Sequence, residues 1–319
     1  MITVFSVYQS MYEKFKELKN QRAVKALIGI TETCFLRLLE VFHIAYQEIQ
    51  QERRQQGQIK CLPNARLQGV LDSLEKRLFF ILFYLKVYCT FDVLGFLFHL
   101  SPGHAHEHVQ ALLPVIERSL VKLGLLPRHT VPDPQDMRQL LEQADALLID
   151  GVEVPCVRPQ QDASQSAHYS GKKKRHTVKA LVISDAEKRI LFISPPVPGA
   201  IHDYRLMKTL FPPEQDWFHT TPLWLDLGFL GATRDYGPNT PIHLPYKRPR
   251  KSMNNPKPNL TASQRAENRV HATIRVAVEH AIGGMKAFHC LTHRIRNHLT
   301  SIREYFFSLS AGLWNLKLA

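Results

Sequence analysis

Acidic residues are in short supply in this 319-residue chain, with 28 Asp and Glu against 41 Lys and Arg, a formal net charge of +13. With a pI near 9.6, such a balance suggests a polyanionic partner, nucleic acid ahead of anionic membrane. Long apolar runs are missing too. The longest, Leu78 to Leu85, stops at Lys86, far short of a spanning helix. Met1 to Tyr12 lacks a basic region followed by an apolar core, so no signal peptide is expected. The five cysteines (Cys34, Cys61, Cys89, Cys156, Cys290) are scattered, and none forms a CxxC pair. That argues against a zinc module or disulfide scaffold and for reduced thiols in the cytosol. Of the 16 histidines, His104, His106 and His108 alternate, a poor arrangement for metal ligands on one helix face. No internal repeat or low-complexity segment stands out.

What remains is ordinary globular material, 45% hydrophobic and 22% charged, long enough for about two domains. Residues 1–130 read as helical. Thr31 is a plausible N-cap for an amphipathic stretch to Arg54, with Phe35, Leu38, Leu39, Phe42 and Tyr46 at helical spacing. A second helix runs from Leu71 to Cys89. Thr90 then caps a short helix, and Ser101 caps the next, with Pro102 at its first position. Two helices joined so tightly fit a helix-turn-helix over about 71–125. Its second helix would present Gly103, His104, His106 and Glu107 toward base edges, and Pro114 would kink or restart it. Phe96, Phe98, Phe306 and Phe307 sit at core-like spacing.

Residues 131–145 read as a Pro-containing linker with a short helix. Strand patterns follow: Ala146 to Asp150 continuing through Cys156, then His176 to Ser184, then Arg189 to Ser194, an antiparallel meander. A short helix to Leu210 comes next, with Asp203 as its expected cap and His202–Asp203 in structural support. A strand ends at Asp226, a weak helical turn surrounds Ala232, and Pro241 to Pro245 forms a further strand. A basic loop, Tyr246 to Lys257, leads into a last helix over Asn268 to Phe288. Three strands, helix, strand, helix, strand, helix is the order of an RNase H-like fold. The expected whole is therefore α+β, an all-α N-terminal domain followed by an RNase H-like α/β domain over 146–319 with a mixed five-stranded sheet.

Three acids stand out within that order. Asp150 and Asp226 each close a short apolar run with Gly just behind. An acid at the edge of a buried strand is costly unless compensated, and a hard divalent cation is a natural compensator. On the last helix Arg275, Glu279 and Lys286 fall within a stripe about 40° wide at 3.6 residues per turn, opposite Val270, Ile274, Ala277, Ala281, Met285 and Phe288. A carboxylate bracketed by two cations suits a group that holds a metal next to a phosphodiester. The plain alternative for that stripe is a solvated face with one Arg275–Glu279 ion pair.

Asp150-Gly151, Tyr169 to Lys179, and Pro198-Gly199-Ala200-Ile201-His202-Asp203 resemble the DDE-superfamily endonuclease domain of insertion-sequence transposases. Asp226-Leu227-Gly228-Phe229-Leu230-Gly231 is similar to the segment holding the family's second acid. Arg275, Glu279 and Lys286 match its Arg-x3-Glu-x6-Lys signature, and Leu78 to Ser101 resembles the helix-turn-helix that precedes the endonuclease, as also in Harbinger-type elements. The chain departs from the pattern at Ala272, where a Tyr often stands, at Val152 in place of Thr, and at Pro102-Gly103 in the turn.

The resemblance implies that Asp150, Asp226 and Glu279 form a catalytic triad holding two Mg²⁺ (or Mn²⁺) ions about 4 Å apart. Strand cleavage and strand transfer would then proceed by in-line phosphoryl transfer. It implies DNA contact by Lys286 and Arg275, to which the basic segments Lys172, Lys173, Lys174 and Arg175, and Lys247, Arg248, Arg250 and Lys251, are natural additions, along with His104 and His106. The implied partners are element-end and target DNA, and a second copy of the chain or more in the DNA complex. The implied setting is the bacterial cytoplasm and nucleoid, with no membrane. Two other classes of function compete: a catalytically silent, transposase-derived DNA-binding protein, and an RNase H-like nuclease without transposition.

Overall fold

The computed structural model describes residues 10–62, 69–141, 144–251, 253 and 258–319. These form two compact units. One contains the described residues up to Leu126, Ala287–His293 and Ala319; the other contains Pro127–Lys286 and Arg294–Leu318.

The first unit is helical: α1 Met11–Lys16, α2 Gln21–Ile28, α3 Glu32–Gln55, α4 Leu74–Val87, α5 Phe91–Phe98 and α6 Pro102–Lys122. The hydroxyls of Thr31, Thr90 and Ser101 accept from the backbone N–H groups of Cys34, Val93 and His104, which satisfies donors the helices leave unpaired. Ser73 does the same for α4, through Lys76 N–H. The expected helix from Leu71 therefore begins three residues later. Leu78 to Leu85 is buried throughout, and this continuous run makes α4 the central helix of the unit. Phe79 packs its ring 4.6 Å from Phe15 and 5.8 Å from Phe98.

Two expectations are revised here. Helix α6 does not restart at Pro114 but runs on through it. Leu112, Leu113, Val115 and Ile116 are buried on either side of it, and that packing outweighs a penalty of about 3 kcal/mol for an interior proline. Phe96 is not a core residue. It is 81% exposed, because α5 buries Leu94, Gly95 and Phe98 on one side and turns position 96 outward.

The second unit opens with α7 Pro134–Leu141, which supplies Met137 and Leu141 to the core. The strands are β1 Leu147–Pro155, β2 Tyr169–Ser170, β3 Arg175–Ser184, β4 Ile190–Ile193, β5 Val197–Pro198, β6 Leu223–Trp224 and β7 Ile242–His243. The helices after α7 are α8 Asp162–His168, α9 Asp203–Leu210, α10 Ala232–Asp235, α11 Ala262–Met285 and α12 Thr300–Leu318. Strand β1 lies between antiparallel β3 (Leu148 opposite Ser184, Pro155 opposite Thr177) and parallel β6 (Leu147 opposite Leu223). Strand β7 pairs parallel to β6. The short strands β2, β5 and β4 follow one another along β3, so the mixed sheet is five strands wide although seven segments build it. Leu147, Leu148 and Ile149 are buried on both faces of β1, after which Val152 and Val154 alternate with less buried neighbours. This is the pattern of a strand that leaves the centre of a covered sheet. The core beneath it gathers Leu147, Ile149, Leu181, Ile183, Phe192 and Phe211.

Helix α12, which the sequence pattern did not reveal, closes the β4 edge. The Asn315 side chain donates to Ile190 O and accepts from Ile190 N–H, both at 2.9 Å, taking the place of a further strand. The Trp314 indole donates to Lys188 O at 2.8 Å. No helix among the described residues is long and apolar enough to cross a membrane.

Trp314 also explains Gly284 near the end of α11. A Cβ there would lie 2.0 to 2.4 Å from the indole ring. Alanine in a helix interior is ordinarily worth about 1 kcal/mol over glycine, so the sign of Gly284→Ala tests the packing. Urea unfolding should show the variant less stable, by roughly 1–3 kcal/mol from overpacking. A gain in stability would mean that α12 does not seat against α11 in this way.

Candidate active site

Because β1 and β6 run parallel and β6 ends opposite Leu148, the chain just past β6 lies beside the middle of β1, close to the usual place for a site on such a sheet. Asp150 sits within β1, opposite Val182 of β3. Asp226 follows β6 and caps a single 3₁₀ turn, Leu227–Phe229, its Oδ1 accepting from Gly228 N–H at 2.8 Å. A third acid joins them. Asp203, the first residue of α9, is so close to Gly151 that a Cβ on that glycine would meet its Oδ1 at 2.6 Å. The expectation that Asp203 caps α9 is corrected: His202 is the cap, its Nδ1 accepting from Tyr204 N–H at 3.3 Å. Asp203 instead pairs with Lys179 of β3, Nζ to Oδ1 at 2.9 Å. That ammonium also donates to Ile201 O at 2.8 Å, and Asp203 Oδ1 takes no well-directed hydrogen bond from the described residues.

Asp150 carries the electrostatic burden of the site. Its Oδ1 accepts from Gly151 N–H at 2.7 Å, and Arg275 Nη2 donates to its Oδ2 at 2.9 Å. Burial pushes the carboxyl above its ordinary range. The Arg275 guanidinium and the Gly151 N–H pull it back, and the charges of Asp226 and Asp203 push it further up.

Helix α11 brings Arg275 to this point. It starts at Ala262 rather than Asn268, because Thr261 and Gln264 form a reciprocal capping box, and it ends at Met285, before the expected Phe288. Its buried face overlaps the expected one but is turned from it. Ala277, Ala281 and Met285 are inside as expected and are joined by His271 and Val278, whereas Val270 is 60% exposed. Arg275 belongs to the buried side, with its side chain 11% exposed, and Glu279 stands on the exposed edge. Arg275 therefore pairs with Asp150 and not with Glu279. Its Nε, also buried, has no hydrogen-bond partner among the described residues. One turn earlier, His271 Nε2 lies 3.2 Å from His243 O, which ties α11 to β7.

Lys286 is the C-cap of α11 and half-buried. Burial holds its ammonium below the usual lysine range, and Lys173 lowers it further, while Glu153 and Asp150 oppose the shift. Lys173 belongs to the exposed turn of Lys172, Lys173 and Lys174 between β2 and β3, with Arg175 just inside β3. That turn is pinned by Ser170, whose Oγ and O accept from the N–H groups of Lys173 and Lys174. Lys247, Arg248, Arg250 and Lys251 are all exposed. Arg248 is committed within its own loop, to Pro258 O and Asn259 Oδ1, and Asn268 clasps both N–H and C=O of Tyr246 at the loop base. Ser252 and residues 254–257 of that basic loop lie outside the described residues. In the first unit His104 is exposed, and His106 is half-buried with its ring 4.9 Å from Phe91.

The acids expected to hold metal supply the hard oxygen donors a divalent cation prefers. They are not gathered into one ligand set. No three His, Cys, Asp or Glu side chains among the described residues converge closely enough to hold an ion, and the space beside Asp150 Oδ2 is taken by Arg275. Sequence reasoning missed Lys179 and the Asp150–Arg275 pair. The motif around His202-Asp203 was the available signal for the third acid.

Lys286 offers a direct test of these electrostatics. A lysine whose folded-state pKa lies below its unfolded value of 10.5 binds its proton less well when folded. Wild-type stability from this group should therefore rise as pH climbs through the lowered value toward 10.5. Lys286→Met should remove that dependence and raise the melting temperature near neutral pH by a few degrees, on the order of 1 kcal/mol. A lower melting temperature would show that the ammonium stabilises the fold.

Residues 149–315 match the family described as DDE superfamily endonuclease, and residues 70–122 match the helix-turn-helix of DDE superfamily endonuclease. The chain is 26% identical over 310 residues to a probable transposase for insertion sequence element IS702 of Microchaete diplosiphon, covering 96% of this chain and 98% of that protein. No solved structure matches it significantly. A match through more than half of the chain, running from β1 into α12, makes this protein a member of the DDE superfamily endonucleases.

Proposed function

We propose that this protein is the transposase of an insertion sequence, binding the ends of its element and catalysing strand cleavage and strand transfer. The observation that carries the proposal is the juxtaposition of Asp150, within β1, and Asp226, just past the end of the neighbouring parallel strand β6, with α11 alongside. In this reading the helix-turn-helix of α5 and α6 contacts end DNA through residues at the start of α6, His104 and His106 among them. The second unit is the endonuclease. Lys286, the Lys172–Arg175 turn and the Lys247–Lys251 loop hold phosphates by charge. Two or more copies act together on paired ends.

Water, or a terminal 3′-hydroxyl, would displace the 3′-oxygen of a phosphodiester in line, without a covalent enzyme intermediate. DDE-superfamily endonucleases generally work with divalent metals, and Asp150, Asp226 and Glu279 are the proposed acids, with Mg²⁺ or Mn²⁺ the proposed ion. As the chain stands, Glu279 is at the exposed edge and Asp150 is engaged by Arg275, so ligand closure belongs to the DNA-bound state. The net charge of +13 and the helix-turn-helix favour this reading over a nuclease without transposition. The acids retained at all three positions favour it over a silent DNA-binding protein.

Purified protein incubated with DNA carrying its element ends should cut in Mg²⁺ or Mn²⁺ and stop on chelation. Asp226→Asn keeps the Oδ1 that caps the turn but loses the charge. It should bind DNA like wild type and cleave at least ~100-fold more slowly, about 2.7 kcal/mol in activation free energy. Undiminished cleavage would remove Asp226 from the site.

A further inference from the structure

The acid set expected for a DDE enzyme and the ion pair formed in this chain disagree, and the inference drawn from that disagreement rests on the proposed role of Asp150. We propose that Arg275 is a positioning residue that latches Asp150 in the DNA-free chain, keeping cations from Oδ2 until a DNA phosphate takes over the guanidinium.

The pair is built to hold. Both side chains are largely withdrawn from solvent, 11% and 24% exposed, so salt and water screen their attraction weakly. A divalent ion approaching Oδ2 would meet a fixed positive charge at contact distance, in a setting where like charges repel strongly. The pair is also incomplete. A guanidinium offers a fork of five N–H donors suited to two oxygens of one anion, yet Arg275 spends Nη2 on Asp150 and leaves Nε buried without an acceptor. An oxyanion bridging Nε and Nη2 would satisfy both. Asp150 is placed to take only one of them.

The surroundings favour that exchange. Lys286, at the end of the same helix, lies close enough to both Lys173 and Asp150 to feel their charges. An incoming phosphate therefore meets a cationic margin beside the acid. Once the phosphate has drawn the guanidinium away, Asp150 is left anionic and largely buried, held only by Gly151 N–H and next to Asp226 and Asp203. That is the condition under which a cation binds most strongly. The latch would thus couple cation uptake to occupancy by DNA and leave the unengaged protein a poor nuclease. Lysine could not serve equally well, because a point charge lacks the second arm that makes the hand-over possible.

The test is a Mn²⁺ titration of the full chain without DNA at pH 8, following free Mn²⁺ by electron paramagnetic resonance. Arg275→Gln should bind Mn²⁺ at least tenfold more tightly than wild type, and adding Asp150→Asn should abolish the gain. Binding of a short duplex by Arg275→Gln should show a salt dependence shallower by about one phosphate contact. Equal Mn²⁺ affinity in wild type and Arg275→Gln, a gain that survives Asp150→Asn, or an unchanged salt slope would each overturn the latch. If circular dichroism shows Arg275→Gln unfolded, Arg275→Met makes the same comparison. It keeps the aliphatic stem without the charge, so a tenfold gain supports the latch and no gain overturns it. Failure here is separable from failure of the proposed function. Wild-type cleavage that needs Mg²⁺ and is lost in Asp226→Asn leaves the site standing whatever Arg275→Gln does.

Discussion

The parallel bridge between β1 and β6 is the constraint on which the rest of the second unit depends. Leu147 faces Leu223 and Leu148 faces Trp224, and this short pairing joins two segments far apart in the chain. It survives because both strands are deeply apolar where they meet, with Leu147, Leu148, Leu223 and Leu225 wholly buried, and because β7 continues the sheet beyond β6. A backbone hydrogen bond from Leu147 N–H to Pro222 O belongs to it, and one from Leu225 N–H to His243 O continues the pairing of β6 with β7. Asp150 and Asp226 emerge just past this bridge. Their mutual repulsion is a cost the hydrophobic pairing must outweigh.

The compensation is distributed. Each carboxylate near the bridge has its own partner: Gly151 N–H and Arg275 for Asp150, Gly228 N–H for Asp226, Lys179 for Asp203. The partners come from β1 itself, from β3, from α11 and from the turn after Asp226. The pair between β1 and α11 spans the greatest distance along the chain, so the seating of one long helix and the charge state of one acid are coupled. His271, held to His243 O, and Gly284, under Trp314, fix α11 at either end of that contact.

Much of this architecture was legible in the sequence. Caps at Thr31, Thr90 and Ser101, the run Leu78 to Leu85, and the strand patterns around residues 150, 180 and 192 are all local signals, and local hydrogen bonding or burial realises each of them. The element order and the α+β class followed from them. What escaped was non-local. The helical wheel of α11 put Arg275, Glu279 and Lys286 on one stripe but could not say where the buried arc begins. That arc is centred nearer His271 and Val278, which sends Arg275 inward and leaves Glu279 at the edge. Phe96 looked like core by spacing alone, and nothing in its neighbourhood revealed which side of a thin helix pair would be covered. Asp203 carried an N-cap signature, but His202 took that role once Lys179 supplied a cation. Helix α12 escaped because its periodicity is blurred by burial nearly all round, from Phe306 through Leu316.

The central claim is that Asp150 and Asp226 become a shared cation site when DNA is bound. Iron-mediated affinity cleavage tests it most directly: Fe²⁺ and ascorbate are added to the full chain, with and without element-end DNA, and the scission points along the polypeptide are mapped. The account predicts cuts beside residue 150 and beside residue 226, strong with DNA and weak without it, and lost in Asp150→Asn. Cuts confined to other segments, or cuts at these positions that persist in Asp150→Asn, would contradict it.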